Sequence, residues 1–576
     1  MRKTLIAAAV LAAGAVVYYT STGQNKITFA ELDYVPSDTV VFSGQFKPIN
    51  MTDYLSSIGV GPQYYSSPEM EQAFAEISED ADSPLEAKFA IALLRHYLDA
   101  LKAGKDFSKL TGFNDKMRSL TYMAGLSPVM RFEVADEKAF FGLFDRAEQD
   151  SGFSHEALSI EGASYRRYRF SADEVSIDLL VTVQRGWATL SITSEKLTSA
   201  TVAELLALTK PASNLGNSDR LQTYADKYQL SSDALGYISF AELGQALTNA
   251  DSNRLARDVN AVFGEALAPV WANWQNSACQ QDVGSITANW PGVFFDSELD
   301  YSQSSHTSIS SKMLVASDNK AVLDALASLR GYLPPHMLSN TPGAMFHFGL
   351  GLDPVQLSAA VGKVWSNVTE PAYSCEPLAQ LQQQMKQANP MAMLAMAGMA
   401  NGVQGISVTV NKVELDAATM MPSQLDALLT VSVANARGFI EGLSAMAPAV
   451  AQIELPATGE EANLADILPQ AAAVPVAAKL KLAQDHMLIY TGDTGTEQAN
   501  AVASSALSKN GLLSIGMDYS AFFRIMATTM ESSGQTVPES FQSLQDMNMK
   551  LAMTMDITGQ GILTQSTMEL SAGKPD

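Results

Sequence analysis

Two cysteines are the first residues in this sequence whose chemistry can be assigned from type and spacing. Cys279 and Cys375 are the only pair available for a disulfide. The alternatives are two buried free thiols and a two-cysteine metal site, which is less favoured because no histidine lies near either cysteine in the sequence. Each cysteine follows a Trp-x-Asn motif, at 271–273 and at 365–367, so the two occupy equivalent places in a repeated pattern. We therefore expect them to be bonded, which would indicate an oxidising compartment outside the cytoplasm.

Methionine is the second unusual residue type, with 26 copies that are densest between residues 385 and 400. Its flexible, polarizable side chain suits an adaptable apolar groove, so this segment is a candidate surface for an apolar ligand or a partner. A helix packed in the core and a thioether copper(I) site are the alternatives. The candidate residues are Met385, Met391, Met393, Met396 and Met399.

A basic cluster at residues 165–169 stands out because the rest of the chain is acidic. Its three arginines, Arg166, Arg167 and Arg169, are a candidate contact for lipid headgroups or an acidic partner. The alternative is an exposed strand whose charges discourage edge-to-edge pairing.

No motif in the chain indicates catalysis. The six histidines show no zinc spacing, and the sequence lacks a Gly-x-Ser-x-Gly elbow, a Walker A loop and a Gly-x-Gly-x-x-Gly fingerprint. We therefore predict no catalytic residue, no metal and no cofactor, with a hydrolase that lacks a recognisable motif as an alternative.

Composition narrows the classes of function further. The 576 residues are 47% hydrophobic, and 61 acidic against 37 basic residues give a net charge of −24. This much apolar surface excludes intrinsic disorder. Nucleic-acid-binding proteins need an excess of basic residues on the binding surface, so this acidic composition argues against nucleic-acid binding.

The N-terminus predicts export. Arg2 and Lys3 precede an apolar run from Leu5 to Tyr19, which predicts a signal-anchor within residues 1–22. A signal peptide cleaved near Ala13-Gly14-Ala15 is the alternative. We expect a bacterial periplasmic protein, tethered to the inner membrane through residues 5–19. Residues 35–39, Val-Pro-Ser-Asp-Thr, follow the run, and this layout resembles that of membrane-anchored envelope proteins of bacteria.

Internal matches predict a duplicated architecture. Residues 134–141 match 433–440, and residues 187–191 match 486–490, both at a spacing of 299 residues; residues 40–44 match 344–348. Collinear matches at nearly one spacing indicate repeats. We predict two pseudo-symmetric halves, 30–325 and 326–576, each made of two related units that open with a strand and a helix.

Periodicity predicts the elements that position these residues. Apolar residues alternate strictly from Met547 to Ile557, and a Gly-Gln-Gly turn returns the chain as a second strand. A second alternating strand starts at Val175 and ends in a turn at Arg185-Gly186. A capping box at Ser83–Glu86 predicts a helix that ends near Gly104. Strands mixed with helices, without βαβ alternation, favour an α+β fold with antiparallel sheets each covered by helices.

Together these features favour a non-enzymatic periplasmic binding or scaffold protein that acts on another envelope component. The alternatives are a carrier or sensor of apolar ligands, lipid or peptide, that uses the methionine-rich space, and the hydrolase named above. The partner would be an envelope protein or a lipid, and the oligomeric state stays open.

Overall fold

The fold was analysed in a computed structural model of the chain. The structure describes residues 27–571 except 28, 52, 55–67, 173–174, 304–305, 340–341, 389–401, 417–420, 447–453, 469, 472–475 and 538–547. The proposed anchor at residues 5–19 lies outside the described residues. Within the described part of the chain, no helix is long and apolar enough to cross a membrane.

The chain divides into two compact units. Unit 1 contains residues 1–316 and the segment Tyr373–Ala379, and unit 2 contains the rest. Both units mix helices with antiparallel strands, as the α+β prediction requires.

Unit 1 holds ten strands among its described residues. They are β1 Val41–Asn50, β2 Lys116–Ala124, β3 Ser127–Glu133, β4 Glu156–Ile160, β5 Ala163–Ala172, β6 Val175–Gln184, β7 Trp187–Thr193, β8 Ala234–Ser239, β9 Gly292–Gln303 and β10 His306–Ala316. Every pair is antiparallel, in the order β10-β9-β8-β1-β2-β3-β7-β6-β5-β4.

The helices of unit 1 follow the first strand, the hairpins and β8. They are α1 Pro68–Glu79, α2 Leu85–Lys102, α3 Phe107–Thr111, α4 Glu137–Ser151, α5 Val202–Leu205, α6 Arg220–Tyr228, α7 Phe240–Thr248, α8 Arg254–Trp274 and α9 Ser277–Asn289. The predicted capping box of α2 is wrong. Pro84 occupies the N-cap, and the Ser83 hydroxyl instead donates to Asp80 in the preceding turn.

Unit 2 holds nine strands among its described residues. They are β11 Phe346–Leu350, β12 Val403–Leu415, β13 Pro422–Val433, β14 Glu461–Asn463, β15 Lys479–Leu482, β16 His486–Thr491, β17 Leu513–Asp518, β18 Asn548–Thr558 and β19 Gly561–Ser571. Their order is β19-β18-β17-β11-β12-β13-β16-β15-β14, again all antiparallel. This order matches that of unit 1 strand for strand, with one strand fewer at the far edge.

The helices that follow unit 1 along the chain complete the fold. They are α10 Lys320–Ser328, α11 Pro354–Thr369, α12 Glu376–Gln387, α13 Ala436–Met446, α14 Leu464–Ile467, α15 Asp493–Ala503 and α16 Tyr519–Ser532. Helix α12 begins in the segment that belongs to unit 1.

The predicted disulfide is confirmed. Cys279, in the first turn of α9, is bonded to Cys375, and both side chains are fully buried. Asp282 lies one turn further along α9, and its carboxylate accepts hydrogen bonds from the backbone N–H groups of Ser374 and Cys375. The bridge and this carboxylate therefore fasten residues 373–379 to unit 1.

The two predicted hairpins are also present. Strands β6 and β7 turn at Arg185-Gly186, where both residues have positive φ, as a two-residue hairpin turn requires. Strands β18 and β19 pair over their full length.

Candidate ligand-binding face

One face of the unit 2 sheet is apolar across its central strands. Residues paired directly in an antiparallel ladder share a face, so the register identifies its members. Two rows cross six strands, and a third crosses five. The first two rows are Met553, Ile515, Phe348, Val408, Leu429, Ile489 and Met555, Leu513, Leu350, Ile406, Val431, Met487. The third row is Leu551, Met517, Phe346, Val410 and Ala427. We call these three rows the open face.

None of the open-face residues is buried. The most exposed are Phe348 at 37%, Leu350 at 38%, Ile406 at 47% and Leu429 at 38%. Leu350 pairs with Ile406, and Val408 pairs with both Phe348 and Leu429, so these side chains form one continuous patch. Contiguous exposed apolar surface on a protein usually marks a binding site.

The opposite face of the same strands is mostly buried and has polar residues at its centre. We call it the strap face, because residues 331–337 cross it. Its central members are His347, Ser407, Thr409, Thr430, Ser432, His486 and Ser514. The strap face thus buries hydroxyl and imidazole groups beside an apolar cluster, in which Leu428, Leu488 and Tyr490 pack with α15, while the opposite apolar face stays partly open.

The strap, residues 331–337, explains how the polar face can be buried. The Tyr332 N–H donates to the Gln404 carbonyl at 2.7 Å, and the side chain of Asn510 bonds both backbone groups of Leu333. The Ser514 hydroxyl donates to the Met337 carbonyl at 2.8 Å. Buried polar groups are tolerated when they are hydrogen-bonded in this way, and Thr430 Oγ1 is an exception on this face, because it is buried without a hydrogen-bond partner.

Three histidines take part in this packing. Because Ser514 donates to Met337, its oxygen accepts the Nε2–H of His347 at 2.9 Å. His336 Nε2 lies 2.9 Å from Thr409 Oγ1. Burial lowers the pKa of His336 to about 4, helped by the neighbouring His347, and burial also lowers the pKa values of His347 and His486. All three are therefore neutral near pH 7.

Ser432 and His486 have the relation of a nucleophile and a base. The Nε2–H of His486 donates to the Ser505 carbonyl, so Nδ1 is free to accept the Ser432 hydroxyl proton at 2.9 Å. Both side chains are 1% exposed, however, and a substrate cannot reach them. Their hydrogen bonds serve the packing of the strap face.

Unit 1 has a related strap of different chemistry. Tyr34-Val35-Pro36 precedes its first strand as Tyr332-Leu333-Pro334 precedes β11, a correspondence that sequence reasoning missed although both Tyr-x-Pro triplets are visible. Beneath this strap Arg131, 2% exposed, pairs with Glu31 at 2.5 Å and lies 5.0 Å from the centre of the Tyr34 ring. In unit 2 the position that corresponds to Arg131 is occupied by Thr430, which lies on β13 opposite Leu488 as Arg131 lies on β3 opposite Thr189.

The side of the unit 1 sheet that corresponds to the open face is closed over strands β5 to β7. There Tyr168, Leu179 and Val181 are buried beneath Phe89 of α2 and Phe144 of α4. The corresponding face of unit 1 is therefore covered by helices.

The arginine cluster lies on β5 of unit 1. Each arginine is paired with a carboxylate of the same unit: Arg166 with Asp145, Arg167 with Glu156, and Arg169 with Asp178. The positive charge is thus compensated internally, and contact with an external anion stays a prediction.

The methionine-rich segment can be placed only in part. Met385 is partly buried on α12, whereas Met391, Met393, Met396 and Met399 lie outside the described residues. The structure places other methionines, including Met487, Met517, Met553 and Met555, on the open face.

Among the described residues no group of three or more His, Cys, Asp or Glu side chains could hold a metal ion. Comparison with known proteins gives no further guidance, since no family model, curated protein or solved structure matches this chain.

Proposed function

We propose that this chain is an exported, non-enzymatic binding protein that acts on another component of the cell envelope through the open face of unit 2. The observation that carries this proposal is the partial exposure of an apolar sheet face. Seventeen neighbouring apolar residues of unit 2 keep partial exposure, while the opposite side of the same strands holds buried polar residues and a buried apolar cluster.

Export is supported by two independent features. The Cys279–Cys375 disulfide is buried and persists best in an oxidising compartment. The apolar run at residues 5–19, preceded by Arg2 and Lys3, fits a signal-anchor that leaves the chain in a bacterial periplasm. A tether to the inner membrane would keep unit 2 close to envelope lipids and proteins.

A tandem duplication accounts for the two units. Its support is the shared strand order and the sequence matches spaced by 299 residues, which fall on corresponding elements. Within each unit a strand, one or more helices and a hairpin occur twice, and the two opening strands pair antiparallel, as Ser43 with Gly236 and Phe348 with Ile515. Four related units would follow from two rounds of duplication.

Photocrosslinking in cells tests the proposal. A photoreactive amino acid is introduced at Ile406 or Leu429, which point from the open face, and at Leu85 as a control. Leu85 is an equally exposed apolar residue, at 48%, on α2 of unit 1. We expect a specific adduct with an envelope component from the two open-face positions and none from Leu85. Equal adducts from all three positions, or none, would contradict the proposed function.

A further inference from the structure

We propose that the component held by the open face is a membrane phospholipid, whose two acyl chains lie across the strands. This inference rests on the proposed function and assigns its ligand class.

The lack of charged side chains on the open face favours an uncharged hydrocarbon ligand. The chain has a net charge of −24, yet the three rows of the open face contain no charged side chain and no hydroxyl group. Protein interfaces typically carry about one hydrogen bond per 100–200 Å². A face that offers no side-chain donor or acceptor across its centre complements acyl chains better than a protein surface.

The dimensions match a diacyl lipid. Strands in a sheet are about 4.8 Å apart, so six strands span about 24 Å from first to last. An acyl chain that fills one leaflet is about 15 Å long, half of the ~30 Å hydrocarbon core. Successive rows are about 6.6 Å apart along the strands, so three rows leave room for two chains side by side.

The side chains at one end of the face suit a ligand of variable shape. Met517, Met553 and Met555 lie on adjoining strands, and Met553 pairs with Ile515 beside Phe348. Methionine has three rotatable bonds and a polarizable sulfur, so it adapts to chains of different length and unsaturation.

A transfer assay with the full-length chain tests the inference. Vesicles of phosphatidylcholine carry pyrene-labelled phosphatidylcholine, a zwitterionic probe chosen because a chain of net charge −24 is repelled by anionic vesicles. Extraction by the protein separates the labels and converts excimer emission into monomer emission. We expect the wild-type chain to extract labelled lipid.

Substitutions locate the binding surface. Ile406→Glu places a carboxylate in the middle of the face, and we expect it to weaken extraction roughly tenfold or more, because a charge against hydrocarbon is costly. Leu85→Glu in unit 1 is the matched control and should extract lipid like the wild type. Ile406→Thr keeps the β-branched shape if the glutamate variant does not fold, and we expect a smaller loss in the same direction.

The outcomes separate this inference from the proposed function. Extraction that is absent in the wild type, or equal in wild type and the Ile406 variants, overturns the lipid assignment. Binding of a pyrene-labelled fatty acid without any extraction of phospholipid overturns it as well. If lipid extraction fails while Ile406 crosslinks to one envelope protein, the lipid assignment is wrong and the proposed function stands. If both fail, both are wrong.

Discussion

Lowering the pH from 7 to 5 is expected to destabilise unit 2 through two buried histidines, His347 and His486, and the half-buried His336. His336 lies on the strap, with Nε2 2.9 Å from Thr409 Oγ1, and His347 and His486 lie on the strap face below it. Burial lowers the pKa of His336 from 6.5 to about 4, with a further contribution from His347. None of the described ion pairs of unit 2 includes these imidazoles, and the nearby Asp485 offsets only part of the lowering of the His486 pKa.

The direction of the stability change follows from the linkage between proton binding and folding. A histidine whose folded pKa is lowered binds its proton more readily in the unfolded chain, so its contribution to stability is complete above pH 6.5 and is lost as the pH falls toward 4. For His336 alone the loss is about 2 kcal/mol at pH 5 and about 3 kcal/mol below pH 4. The lowered pKa values of His347 and His486 add to it in the same direction.

Unit 1 provides an internal contrast. Burial raises the pKa of Asp296 from 3.8 to about 6. Its folded state therefore favours the protonated carboxyl, and unit 1 gains about 1 kcal/mol between pH 7 and pH 5. The same change of pH should act on the two units in opposite directions.

Hydrogen exchange read by mass spectrometry, in moderate urea at pH 7 and pH 5, measures the opening free energies of both units. After correction for intrinsic exchange, we expect the strands β11 and β12 to lose protection at pH 5 and the strands β8 and β9 to keep or gain it. His336→Gln keeps a side chain that can hydrogen-bond to Thr409 and should remove about 2 kcal/mol of the pH dependence of unit 2. Asp296→Asn should remove the gain in unit 1. Equal protection of β11 at both pH values in the wild type would refute the reasoning.

Three further predictions concern stability at neutral pH. Replacing Cys279 and Cys375 by serine should lower the free energy of unfolding by up to about 5 kcal/mol, because the bridge closes a long loop; urea titration at equal protein concentration checks this. Arg131→Met leaves the carboxylate of Glu31 without its partner and should cost about 3–5 kcal/mol, most of which the double variant with Glu31→Gln should recover. Gly516→Ala brings a methyl group within 2.3 Å of an imidazole carbon on the strap face and should lower stability by about 1–3 kcal/mol in thermal unfolding.

Several parts of the fold could be predicted from local signals. The strict alternation that runs into β18 indicates a strand with two distinct faces, and the glycine turn at 559–561 indicates its hairpin. The disulfide follows from the presence of two cysteines after equivalent motifs. The hairpin depends on a few neighbouring residues, and the disulfide depends on there being only two cysteines. Both kinds of information are present in the sequence itself.

The open face could not be predicted from the same signals. Alternation in Phe346–Leu350 shows that His347 and Gly349 share a face, but the apolar residues would ordinarily be assigned to the core. The strap, which Asn510 holds from a distant part of the sequence, supplies hydrogen bonds to Thr409 and Ser514 on the polar side. Which face is covered is thus decided by tertiary contacts.

The methionine prediction was directed at a different part of the chain. Composition indicates the dense segment at 385–400, whereas the structure gathers scattered methionines such as Met517 and Met553 by strand register. Met553 belongs to the alternation of β18, but Met517 lies on β17, and no local pattern links two strands that helix α16 and the residues after it separate in the sequence.

Native mass spectrometry of the full-length chain, released gently from the producing cells, tests the central claim most directly. The account predicts that the wild-type protein carries extra mass corresponding to a bound envelope component, and that Ile406→Glu loses this mass while Leu85→Glu retains it. Two results would contradict the assignment of the open face as the binding surface. One is a wild-type protein whose measured mass equals that of the polypeptide alone. The other is a bound component that Ile406→Glu retains in full.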